Sequence, residues 1–201
     1  MKITTLDRIL LLITGLLAAY QIAYGLEGLP VAAVVAYMIA FGVLLVAGLL
    51  LIILGFESLD APVVVIVSTL IPLSLATGLV WEHLAALRVS YLVFAILGFL
   101  AVSVTRILPA PGKLPIILLA VVHGIAGITI TLLPILLAVS GKAAPGFALV
   151  GVGGALIGVG GLLLAFLKSG RPILSQERIL ALLPGLLLLM TLSFVAGLKL
   201  G

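Results

Sequence analysis

Chemistry in so apolar a chain would have to come from very few side chains. His123, in Ala120-Val121-Val122-His123-Gly124-Ile125-Ala126-Gly127, is the one titratable group set deep in a hydrophobic run. A histidine there can ligate a haem iron, donate a hydrogen bond to a quinone or relay a proton, and the adjoining glycines would let a flat ring approach the backbone. The plainer alternative is a neutral imidazole bonded to a hydroxyl or carbonyl of a neighbouring helix. The second histidine, His83, sits in Trp81-Glu82-His83 at the far end of its own hydrophobic run, too distant in depth to share one iron with His123. A two-haem cytochrome b-type subunit would need four such ligands. No cofactor is therefore expected, with haem or quinone at His123 as the alternative.

No Asp, Glu, Lys or Arg falls near the middle of any hydrophobic run. Ionisable groups inside spans mark proton relays, ion pumps and voltage sensors, so their absence argues against those classes. Cysteine is absent too, which excludes disulfides, thiolate metal sites and cysteine nucleophiles. With no acid–base pair or nucleophile cluster in view, the expectation is a non-enzyme without a metal site.

The remaining polar groups are amides and hydroxyls. Gln21 lies among Tyr20 and Tyr24 near the end of the first run, with Tyr37 in the second, and should face other helices rather than lipid. Ser68, Thr69, Ser74 and Thr77 make the third run the richest in hydroxyls. They can line a narrow polar path, or hold helices together at about 0.6–2 kcal/mol each, which is the favoured reading. Gln21, Ser68, Thr69 and His123 are the candidate ligand or cofactor contacts. Trp81 fits an interfacial belt residue, and Glu82 with Arg88 fits a surface ion pair.

The elements that position these groups follow from composition. The 201 residues are 65% hydrophobic and only 8% charged, where a soluble domain carries about 25% charged residues. The expected fold is an all-α integral membrane protein, a compact bundle of seven transmembrane helices with very short loops, forming a single polytopic membrane domain over residues 1–201. A span needs roughly 20 apolar residues. Runs of that length lie at about 6–24, 30–54, 62–81, 87–107, 115–139, 145–167 and 178–198. The first resembles a secretory leader but is long enough to span, so it is read as a helix. Lys2, Arg8, Arg106, Lys113, Lys168, Arg171 and Arg178 collect on one side, against Arg88, Lys142 and Lys199 on the other. The positive-inside rule then gives N-in and C-out. The Glu57/Asp60 turn lacks basic residues, and either acid could pair with Arg106 or Lys113. A prokaryotic inner (cytoplasmic) membrane is the expected residence, and the modest basic excess gives no reason to expect nucleic acid as a partner.

The sixth run carries Gly151, Gly154, Gly158 and Gly161 at helical spacing on one face, with Gly154 and Gly158 forming a GxxxG pair. In lipid such a strip lets another backbone approach closely, so all four glycines are expected at a helix–helix contact. Pro72, Pro134 and Pro184 interrupt three helices of the same direction. Ser68 and Thr69 precede Pro72 by a turn, and Thr131 precedes Pro134, so these hydroxyls could bond the carbonyls that proline frees. The prolines are either tolerated kinks or hinges beside a solute site.

Thr5-Leu6-Asp7-Arg8-Ile9-Leu10-Leu11-Leu12 aligns without a gap on Ser175-Gln176-Glu177-Arg178-Ile179-Leu180-Ala181-Leu182, and Gly48-Leu49-Leu50-Leu51 on Gly161-Leu162-Leu163-Leu164. Duplication explains this, and so does the shared need of helices starting on one side for a cap, an acid and an interfacial arginine. A microbial rhodopsin would need a lysine within the seventh span, and Lys199 lies at its extreme end. The helix count suits a three-plus-one-plus-three sugar transporter, whose proline–glutamine motifs are absent. Three functions stay open: a non-catalytic subunit or scaffold packing against partner helices, its own copies or lipid through the glycine-rich helix; a small transporter or channel for a neutral or lipophilic solute; and a quinone- or haem-associated electron-transfer subunit.

Overall fold

The computed structural model describes residues 3–25, 27–109, 112–168 and 173–201, and among these it is helical throughout, without strands. The long helices are α1 (Thr5–Tyr24), α2 (Val31–Leu54), α3 (Pro62–His83), α4 (Arg88–Ile107), α5 (Leu114–Val139), α6 (Ala148–Lys168) and α7 (Gln176–Leu200), joined in places by 3₁₀ turns at Phe56–Asp60, Ala85–Leu87 and Pro145–Phe147. All seven are long and apolar enough to cross a bilayer.

Local chemistry sets the ends. Thr4, not Thr5, caps α1: its hydroxyl accepts the Asp7 amide at 3.2 Å, while the Asp7 carboxylate accepts the Thr4 amide at 2.8 Å. Ser175 caps α7, accepting the Arg178 amide at 3.4 Å. Asp7 therefore stands three residues after its cap and Glu177 two, so the gapless alignment of these starts is out of register by one at the cap. Shared capping chemistry explains the likeness. Pro62 opens α3, where its missing N–H costs nothing. The run expected from residue 145 starts with a 3₁₀ turn, and α6 proper begins at Ala148.

Six helices close a ring in the order α1, α2, α3, α5, α6, α7, and α4 leans on its outside against α3 and α5. Exchanging α1–α3 for α5–α7 leaves this packing order unchanged. The ring thus divides into two three-helix units, α1–α3 and α5–α7, with α4 as the connector. Close backbone approach recurs in both units. A Cβ at Gly78 would meet the Tyr37 ring of α2 at 2.5 Å, and one at Gly197 would meet the Val150 backbone of α6 at 2.5 Å.

One continuous core joins α2 and α3 (Tyr37, Phe41, Leu75, Leu79) to α5, α6 and α7 (Ile130, Val150, Phe194). Every residue from Pro72 to Val80 is buried, whereas the first half of α3 is half-open. The bundle is therefore tightest toward the end carrying Gly201 (the C-terminal face) and looser toward the end carrying Thr4 (the N-terminal face).

Candidate functional site

Polar side chains converge at the C-terminal face, where the two units meet. Tyr37, fully buried in α2, donates its phenol proton to Glu82 Oε2 at 3.3 Å. Gly78 leaves space for the Tyr37 ring. The other carboxylate oxygen, Oε1, lies 3.6 Å from His83 Nε2. The His83 ring meets Phe147 edge-on, centroids 5.0 Å apart. These contacts fix Glu82 and His83 on the wall of a cavity of about 200 Å³, which is also lined by Glu27, Lys142, Phe147 and Leu198. A second hollow of about 220 Å³ adjoins it, lined by Tyr20, Gln21, Tyr24 and Lys199. The Lys199 ammonium sits 6.0 Å from the centre of the Tyr20 ring.

The wall charges sort by unit. Glu27 follows α1 and Glu82 closes α3, while Lys142 follows α5 and Lys199 closes α7. Equivalent elements of the two units thus carry opposite charges across a shared cleft. Among the described residues, His83 is the only His, Lys or Arg side chain within 4.0 Å of a carboxylate. Glu27, Lys142 and Lys199 therefore face the cleft without ion pairs.

The expected pair of Glu82 with Arg88 is not formed. Arg88 Nε instead donates to the Trp81 carbonyl at 2.6 Å, and its guanidinium lies 5.9 Å from the centre of the Trp81 ring. The last carbonyls of α3 lack helical partners, and a fork-shaped cation next along the chain satisfies one of them. Gln21 is buried and caps its own helix, Nε2 donating to the Gly25 carbonyl at 2.8 Å.

His123 and the hydroxyls of α3 stand apart from this cleft. His123 Nδ1 lies 3.1 Å from the Leu119 carbonyl of its own helix, not of a neighbour, and ~24 Å of α5 separates it from the end at which His83 lies. One iron could not span both. Ser68 and Thr69 both bond the Val65 carbonyl, at 3.1 and 2.7 Å, and not the Ser68 carbonyl that Pro72 frees. Thr14, Thr77 and Thr191 likewise bond carbonyls of their own helices. A helical hydroxyl reaches back three or four residues more readily than it crosses to another helix, so these groups supply no interhelical bonds. Pro72, Pro134 and Pro184 are all buried within unbroken helices. Glu57 makes no ion pair with Arg106 or Lys113, whose Nε and ammonium find no carboxylate, and the Asp60 side chain lies outside the described set.

The glycine face of α6 is divided. A Cβ at Gly151 would meet the Thr131 carbonyl of α5 at 2.5 Å, and one at Gly154 would meet Ile130 Cγ2 at 2.8 Å. At Gly158 and Gly161 it would meet nothing within 4 Å, so the expected contact at those two is absent. The antiparallel register that sets Gly154 beside Ile130 brings Gly158 and Gly161 level with Gly127 and Gly124 of α5, which are equally open. Four residues without side chains leave this half of the seam unfilled.

Sequence reasoning missed Gly78, Gly153 and Gly197. Each falls beside a large partner (Tyr37, Phe194, Val150) that only the packing reveals. It also missed the sorting of Glu27 and Lys142 onto equivalent loops, a signal present in the order of the charges. Among the described residues no cluster of His, Asp and Glu could hold a metal ion. No protein family matches the chain, and comparison with curated proteins and with solved structures finds no match.

Proposed function

We propose that the chain is an integral membrane protein, N-in and C-out, that acts as a non-catalytic subunit or scaffold and receives a transmembrane helix of its partner along the open half of the α5–α6 seam. The observation carrying this is that Gly124, Gly158 and Gly161 are exposed, with space where side chains would stand. A glycine groove in a lipid-facing surface lets a partner backbone approach closely, and dispersion along such a contact is what drives helix association in membranes. The orientation rests on Arg8, Arg106, Lys113 and Arg178 at the N-terminal face against Arg88, Lys142 and Lys199 at the other. On this reading the protein resides in the inner membrane of a prokaryote.

The test is purification from native membranes in mild detergent, wild type beside Gly158→Leu/Gly161→Leu, with mass spectrometry and an absorption spectrum on each fraction. A stoichiometric membrane partner present with wild type and lost in the double variant is the expected result. A partner-free wild type would sink the subunit reading, and a Soret band lost in His123→Ala would replace it with a haem-bearing one.

A second reading, a small transporter, is favoured by the cleft between two like units. Leu75, Leu79 and Phe194 in the core beneath would then have to part. Uptake lost on substituting Pro72 and Pro184 would support it.

A further inference from the structure

We propose that the cleft at the C-terminal face binds a small zwitterion, its ammonium held by Glu27 and Glu82 and its carboxylate or phosphate by Lys142 and Lys199. Four observations converge on this site. It is a cavity of about 200 Å³ joined to one of about 220 Å³, room for a small molecule or a lipid headgroup and little more. It lies between the two units, because the α1–α2 and α5–α6 connections and the ends of α3 and α7 all line it. Its acidic side chains come from one unit and its lysines from the other, and Glu27, Lys142 and Lys199 make no ion pairs. Glu82 is held in place from beneath by the buried Tyr37 phenol, so one wall is built rather than adventitious.

The charge pattern selects the ligand class. A simple cation would be opposed by the two lysines and a simple anion by the two glutamates. A molecule carrying both charges satisfies both walls, and its own charges need not be brought together. Phe147 and His83, packed edge-on, add their rings to the lining. Two sources share this chemistry: a free zwitterion, and the headgroup of a zwitterionic lipid arriving from the bilayer edge.

The probe is phosphoethanolamine, titrated onto the protein in phosphatidylglycerol nanodiscs and followed by emission of Trp81, the only tryptophan. A second arm exchanges phosphatidylglycerol for phosphatidylethanolamine. A saturable change with the soluble probe assigns a free zwitterion, and a change confined to the second arm assigns the lipid headgroup. Either supports the site. Glu27→Gln and Lys142→Gln, both exposed and harmless to folding, should each weaken binding about ten-fold. Silence in both arms, or single variants that bind like wild type, would overturn the proposal.

Discussion

Alanine at Gly151 and alanine at Gly158 should have opposite consequences, although the two residues share one face of one helix. At Gly151 the added methyl would lie 2.5 Å from the Thr131 carbonyl oxygen and 2.6 Å from Ile135 Cγ1. The first is backbone and cannot swing away, so α5 and α6 must part by about 0.9 Å to reach ordinary contact, which forfeits dispersion along the tight half of the seam. Overpacking of this kind costs about 1–3 kcal/mol. Alanine gains up to about 1 kcal/mol in helix propensity at both positions, so the overpacking remains as the difference between the two variants, about 1–3 kcal/mol. For a chain of this length that is a gap of about 2–12 °C in Tm between them. Gly158→Ala meets nothing within 4 Å and should leave Tm unchanged or raise it. Thermal unfolding of the isolated protein in detergent, followed by Trp81 emission, measures both. Equal Tm values for the two variants would refute the divided seam.

Other substitutions probe the helix ends and the cleft. Thr4→Ala removes the acceptor for the Asp7 amide and should cost about 0.5–2 kcal/mol by the same thermal assay, while Thr5→Ala should cost little. Arg88→Lys cannot keep both the bond to the Trp81 carbonyl and the stacking over its ring, so Trp81 emission should shift to the red. Unshifted emission would show that the guanidinium does not shield the indole. Tyr37→Phe deletes the proton donated to Glu82 and should lower stability by about 0.5–1.5 kcal/mol, with zwitterion binding weakened in parallel. A variant as stable as wild type would remove Tyr37 as the support of that wall.

The seven helices were legible because lipid-length apolar runs and their punctuation coincide: Pro62 begins α3, Gly55 ends α2, and caps precede α1 and α7. Inside the bundle the sequence is far less informative. Leucine and glycine recur at helical spacing on several faces at once, so periodicity could not say that Gly151 and Gly154 meet α5 while Gly158 and Gly161 meet open space. That depends on which residues of α5 stand opposite, Ile130 and Thr131 along one half and Gly127 and Gly124 along the other, a property of the pair and not of either helix alone. Arg88 and Glu82 were paired on spacing, and the free carbonyls at the end of α3 competed successfully for the guanidinium.

The most direct test of the central claim exploits the absence of cysteine from the natural chain. A single Gly158→Cys, carrying a benzophenone maleimide and irradiated in native membranes, reports what occupies the open seam. The account predicts one protein adduct of defined mass, absent when the same label is carried by Val152→Cys, which is exposed on a different face of α6. Lipid adducts alone at both positions would contradict it, and the open glycines would then be a lipid-facing surface with no partner.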